Sequence, residues 1–231
     1  MSFLSTSSRE DDTWISAADM MAGLMMIFLF IAIIYIQDLS KYFDDVSDVR
    51  DEICTDLSNE FSADLERWDM TICEGGLLIR FQSGSNFDPA SSSLSPDFEK
   101  LLDSFIPRLF GVIWKYKDSV SELRIEGHTD STFLGDSPLT GYIYNTKLSQ
   151  DRSRNVLSYT LNQPSIISDD NYLSWAFSSI TAHGMSSSDL IRKDDVELYE
   201  KSRRVEFRIK TNAENALLDL VTELKRNGSE R

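Results

Sequence analysis

Apolar residues are spread very unevenly along this chain of 231 residues. From Trp14 to Gln37 it reads WISAADMMAGLMMIFLFIAIIYIQ, and between Met20 and Ile36 no charge interrupts it. At 1.5 Å per residue that stretch is about long enough to cross the ~30 Å hydrocarbon layer of a bilayer. Apolar side chains would surround such a helix on every side, unlike the surface helix of a soluble domain. After Gln37 the pattern turns acidic and amphipathic. Leu39, Tyr42, Phe43, Val46, Val49, Ile53, Leu57 and Phe61 recur at spacings of three and four, which predicts a helical connector over 38–72. Further on, MTICEGGLLIRFQ predicts one strand, or two short ones turning at Gly75-Gly76. Ser95-Pro96 opens a helix whose apolar face is Phe98, Leu101, Leu102, Phe105, Leu109 and Phe110. SELRIEGHTD alternates as a strand that ends in a polar loop, and a further loop is expected over 133–144. A helix over 149–162, a strand over 177–182, a strand through RRVEFRIKT and a terminal helix over 213–226 complete the pattern. That order implies an α/β (α+β) class: a mixed sheet with helices packed on it.

A cleavable signal peptide fits the apolar stretch poorly. The preceding SSREDDT carries more acid than base, and the following QDLSKYF offers no small-x-small cleavage site. The stretch therefore reads as an uncleaved anchor, a single transmembrane helix over 14–37 behind a short tail over 1–13. Basic residues do not orient it, because Arg9 lies on one side and Lys41 and Arg50 on the other. Asp19 sits inside this stretch near one end, and a carboxylate at a membrane-helix centre costs about 2.5–3.5 kcal/mol. Two readings are open: Asp19 snorkels to the interface near Trp14, or it is an ion-carrying carboxylate facing a partner helix or a thin water path. Ala18, Ala22 and Gly23 beside it would let another helix approach closely.

Composition narrows the chemistry. Against 38 acidic residues there are 23 basic ones, a net charge of −15, which excludes a broad nucleic-acid surface. A hydrophobic share of 41% is ample for a core and excludes global disorder. Two Cys and two His are too few for a zinc ribbon or a multi-His centre, so no metal or cofactor is expected. His128 and His183 both fall at expected strand ends with no nucleophile motif beside them, so the chain is not expected to be an enzyme.

Four blocks occur in order: IEGHTDS, then Asn145 followed by LSQDRS, then HGM, then SRRVEFRI. With the upstream FQSGSNFDPASSSLSPDFEKLL they resemble the OmpA-like peptidoglycan-binding domain, over about residues 75–211. In that family an Asp and an Arg hold the ammonium and carboxylate of diaminopimelate in the wall peptide. The resemblance implies those roles for Asp130 and Arg152, with support from Thr129, Asn145 and Leu148. The chemistry is sensible in itself: Asp130 ends a strand, Arg152 is expected at the start of a helix, and the two together would clasp a zwitterion. The long loop over 133–144, the insert PSIISDDNYLSW, and Ser153 and Ser202 where Ala and Asn are usual all depart from the family pattern.

A membrane helix with an Asp near its start, followed by such a domain over 73–231, resembles the MotB-type stator subunits of proton-driven motors. The A-D-M-M-A-G-L-M-M run, the short tail and the direct acidic connector are similar to the ZorB family of the Zorya anti-phage systems. The resemblance implies a homodimer inside a pentameric ring of a MotA/ZorA-like subunit (5:2), protons carried by Asp19, and anchorage to peptidoglycan. It also implies an inner-membrane protein with a cytoplasmic N-terminus and a periplasmic domain. A flagellar-type stator and a passive membrane-to-wall tether are the alternatives. In the periplasm, Cys54 and Cys73 are disulfide candidates. Three states are open to them: buried free thiols, a bridge within the chain, or a bridge across the dimer.

Overall fold

The structure is a computed structural model that describes residues 7–82, 86–87, 91–133 and 136–212. The terminal helix expected over 213–226 lies outside the described residues. Two compact units divide the chain, Met1–Asp48 and Val49–Arg231. Helix α1 (Ser7–Phe61) contains the apolar stretch, and its portion Ala17–Gln37 is long and apolar enough to cross a membrane. No part of that portion is buried among the described residues.

The second unit begins with the last turns of α1. Ile53, Leu57 and Phe61 are wholly buried and belong to the core of the sheet domain. The Phe61 ring lies 5.1 Å from Phe105, which in turn lies 4.9 Å from Phe81 and 5.2 Å from Phe207. Each such aromatic pair adds about 0.5–1.5 kcal/mol beyond the area it buries. Arg108 caps the contact: its Nε donates to Glu60 (2.7 Å), its Nη1 to Asp64 (2.6 Å), and its guanidinium lies over Phe61. A disulfide also joins Cys54 of α1 to Cys73, just past the first strand, with Cα atoms 6.0 Å apart. On the chain-entropy account a loop of this length stabilises by about 3 kcal/mol. Reduction, or Cys54→Ser with Cys73→Ser, should lower the free energy of unfolding by roughly that amount. Denaturant titrations with and without reductant measure it, and coincident curves would mean that the bridge adds nothing.

The sheet has the order β1-β2-β7-β3-β4, from β1 (Met70–Ile72), β2 (Leu78–Phe81), β3 (Val120–His128), β4 (Ile180–Ser186) and β7 (Val205–Thr211). Strands β3 and β4 are parallel, and every other pair in this sheet is antiparallel. The Gly75-Gly76 turn does separate two short strands, with φ of 81° and 142° at the two glycines. Helix α2 (Pro96–Ile113) starts where Ser95 accepts a hydrogen bond from the Phe98 N–H (3.2 Å), with Pro96 in its first turn. Of its expected apolar face Phe98, Leu102, Phe105, Leu109 and Phe110 are buried and Leu101 is partly buried. Side chains on the sheet sort by period 2: Ile79, Phe207 and Ile125 stand in register on the core face, and Arg80, Glu206 and Glu126 in the next row on the other.

Five expectations need correction. The connector expected to be helical over 38–72 leaves the helix at Phe61 and ends in β1, because Met70–Ile72 pairs with β2. Helix α3 runs over Pro138–Leu161, so half of the expected 133–144 loop is helical and Arg152 lies in mid-helix, not at a helix start. The cause is a second Ser-Pro signal: the Ser137 hydroxyl accepts from Thr140 N–H (3.2 Å), and Pro138 sits in the first turn. The insert forms α4 (Pro164–Ile167) and α5 (Asp170–Ser179), the latter capped by Asp169, which takes N–H bonds from Asn171 and Tyr172. That helix absorbs Phe177, so β4 starts at Ile180, three residues later than expected, and His183 falls in mid-strand. A small hairpin, β5 (Arg192–Lys193) and β6 (Val196–Glu197), and the one-turn α6 (Tyr199–Ser202) lead into β7.

Candidate functional site

Two glycines of the sequence motifs decide where α3 lies. Gly127 and Gly184 pair in register on β3 and β4. A Cβ on Gly127 would stand 2.4 Å from the Ser149 carbonyl oxygen, and one on Gly184 would stand 2.5 Å from the Gln150 nitrogen. Backbone of α3 thus lies directly on the sheet, and hydrogen bonds fasten it: Ser149 Oγ accepts from Ser186 N–H (3.0 Å), and Gln150 Oε1 accepts from Gly184 N–H (2.8 Å). From that seat Asn145 Nδ2 donates to the carbonyls of Asp130 (3.3 Å) and Thr132 (3.0 Å), holding the loop after β3 against the helix.

Asp130 is buried in that loop. Its Oδ1 accepts from Thr132 N–H (3.0 Å) and from the Thr132 hydroxyl, and its Oδ2 accepts from Arg203 Nη1 (2.5 Å). Arg152, seven residues beyond Asn145, stands about two turns or ~10 Å further along α3. It is buried too, donates from Nε to the Ser91 carbonyl (3.0 Å), and lies over the Phe87 ring at 4.8 Å. Burial first, and the charge of Arg203 second, lower its pKa to about 10, while Tyr144 and Asp130 pull the other way. Among the described residues Asp130 pairs with Arg203 and not with Arg152. Each member of the expected clasp is held separately, Asp130 by Arg203 and Arg152 by the Ser91 carbonyl and the Phe87 ring. Thr129 donates its N–H to Ser186 (2.9 Å), and its buried hydroxyl has no partner among the described residues. Leu148 is half-buried on the same helix. Asp19 lies in the other compact unit, exposed on the apolar part of α1.

No family model matches the chain. The Zorya protein ZorB of Escherichia coli is 35% identical to it over 225 residues, 93% of this chain and 94% of that protein. This chain belongs to the ZorB family. Among solved structures, a MotB-like protein from Desulfovibrio vulgaris superposes with a TM-score of 0.51 at 20% identity, over 71% of this chain and 91% of that one. That likeness is one of fold, and the sheet domain of this ZorB-family chain has the OmpA-like arrangement.

Several residues around this candidate site of the ZorB-family chain are not evident in the motifs. Arg203, the first Arg of SRRV, reaches across from the strand end before β7 to Asp130. Glu197 of β6 accepts from the N–H (3.0 Å) and hydroxyl of Ser131, tying the small hairpin to the same loop. Phe87 and the Ser91 carbonyl form the bed under Arg152. Each contact spans tens of residues, and no local periodicity reveals such a pairing.

Glu126, His128 and Glu206 also converge, all buried, with one ligand-type atom of each within 4.8 Å of the others. Their carboxylates are already taken. Glu206 accepts from Arg80 (2.7 Å), Arg204 (2.6 Å) and Arg208 (2.9 Å), and Glu126 accepts from Arg208 (3.1 Å). Three guanidiniums against two carboxylates leave no charge to attract a cation, so the cluster is an ion-pair lattice and not a metal centre. His183 contacts Thr181 (3.0 Å) on the same face, outside the Asp130 loop.

Proposed function

We propose that this ZorB-family chain is the stator-type subunit of a proton-driven inner-membrane motor in anti-phage defence, anchored to peptidoglycan by its sheet domain. The observation that carries the reading is the match to a Zorya ZorB over nearly the whole chain, span and sheet domain together. In this reading the chain is a single-pass protein with its N-terminus in the cytoplasm and its sheet domain in the periplasm, and it is not an enzyme. Two copies would thread a pentameric ring of a MotA/ZorA-like subunit, and Asp19 would carry protons from one side to the other. The bare surface of Ala17–Gln37, with small residues Ala18, Ala22 and Gly23 beside Asp19, suits a helix that packs against partners. Each proton would deliver about 2.3 kcal/mol per 100 mV of membrane potential. Wall binding would hold the two central helices still while the ring turns, because torque needs a fixed point.

At the wall, Asp130 and Arg152 would take the ammonium and carboxylate of diaminopimelate, with Thr129, Asn145 and Leu148 supporting them. Arg152 suits the carboxylate: it is fixed on Phe87 and has no carboxylate partner among the described residues.

One paired experiment tests both halves. The full chain is reconstituted with its ring partner, and proton conductance and peptidoglycan pull-down are measured for Asp19→Asn and Arg152→Ala. Asp19→Asn, nearly isosteric, should abolish conductance and phage protection yet keep wall binding. Arg152→Ala should do the reverse, weakening wall binding by about 1.5–3 kcal/mol for a lost hydrogen bond to a charged group. Full conductance in the Asp19 variant would leave only a passive tether, and unchanged pull-down in the Arg152 variant would remove the wall site.

A further inference from the structure

The two guanidiniums at the Asp130 loop differ in freedom. Arg152 is buried and seated on Phe87, so it cannot leave without emptying packed space. Arg203 is a third exposed and lies across two carboxylates, with Nη1 on Asp130 and Nη2 on Glu200 one turn before it in sequence. Asp130 meanwhile has little capacity left. A carboxylate offers about four lone-pair sites. Thr132 N–H, the Thr132 hydroxyl and Arg203 fill three of them. A guanidinium keeps its charge at every accessible pH, so Arg203 neutralises Asp130 for as long as it stays there.

We infer that Arg203 is a displaceable counter-ion and a specificity determinant of this site: it occupies Asp130 until the ammonium of a wall peptide replaces it. The inference rests on the wall-binding reading above and adds the step by which the site opens. Displaced from Asp130, Arg203 keeps Glu200, whose side chain is largely exposed, and swings into solvent without leaving a cavity. The incoming ammonium is a compact charge with three donors, against the planar fork of Arg203. A ligand without a free amine cannot make the exchange. Arg203 therefore lowers affinity for every wall fragment and excludes those whose amine is blocked.

The test uses the full chain in lipid nanodiscs and a tripeptide ending in meso-diaminopimelate, with its far amine free or acetylated, in calorimetric titrations. Arg203→Gln should bind the free-amine peptide roughly three- to tenfold more tightly, since no counter-ion is displaced. Glu200→Gln removes the displaced side chain's alternative partner and should bind it more weakly. Arg203→Lys, which restores the charge, should return affinity to the wild-type value, and the acetylated peptide should show none of these differences. A purely structural Arg203 would give losses in every variant and no opposed signs. If Asp130→Asn loses binding while Arg203→Gln binds no better than wild type, the counter-ion inference is overturned and the wall site stands. If Asp130→Asn binds as wild type does, both fall.

Discussion

Glu206→Gln is expected to cost about 3–5 kcal/mol of folding stability, although it changes only one atom type and leaves the shape intact. Glu206 is wholly buried and faces Glu126 directly across β7 and β3, a like-charge pair that would be unfavourable alone. Arg80, Arg204 and Arg208 resolve it by converging on the same carboxylate. The Gln variant takes their shared carboxylate from those guanidiniums, one of them as buried as Glu206 itself, and leaves Arg208 with Glu126 and Arg204 with Asp189. Burial alone would raise the Glu206 carboxyl, yet the charge and hydrogen bond of Arg204, aided by His128 and Arg80, hold it at about 2. A depressed carboxylate stabilises above its unfolded pKa of 4.5 and loses that contribution as pH falls toward 2. The gap between wild type and Glu206→Gln should accordingly be widest near neutrality and close in acid. Urea titrations at several pH values measure it, and a gap independent of pH would mean that the lattice contributes through packing and not through charge.

Gly127→Ala is the second large effect. The new methyl would stand 2.4 Å from the Ser149 oxygen, which is backbone, so α3 itself must move. Overpacking costs typically about 1–3 kcal/mol and occasionally more, and a rigid helix as the obstacle places this case at the upper end. Wall binding should fall with stability, because α3 carries Asn145 and Arg152 whereas Asp130 follows β3. Gly184→Ala, aimed at the Gln150 nitrogen, should behave alike. Gly111→Ala is the control. It lies exposed in α2 with nothing within 4 Å of an added Cβ, so it should be neutral or slightly stabilising. Equal melting temperatures for Gly127→Ala and wild type would show that α3 does not rest on these glycines.

Much of this architecture is legible in the chain because it is written locally. The apolar run, the alternation of β3 and β7 and the Ser-Pro start of α2 are each contained in one short, continuous segment. Ser137-Pro138 carries the same start signal, but Leu139, Tyr142 and Ile143 behind it are exposed, so no buried stripe supports a helix there. The Phe177 misreading has a similar origin: an apolar residue before Ile180 looks like strand, yet it ends a capped helix with its ring in solvent. Asp130 and Arg152 stand out through their motif, whereas Arg203 does not, because its partner is 73 residues away in sequence. Long-range charge pairing leaves no period to read.

A pull or twist arriving along α1 enters the sheet domain at Ile53, Leu57 and Phe61, in the midst of its aromatic cluster, with the Cys54–Cys73 bond as a covalent stop beside them. Strain on these turns passes into α2 and the sheet through packed rings. A fragment trimmed to begin at residue 75, where the family motifs start, would lose both the rings and the stop, and with them the grip by which this domain can be held under tension.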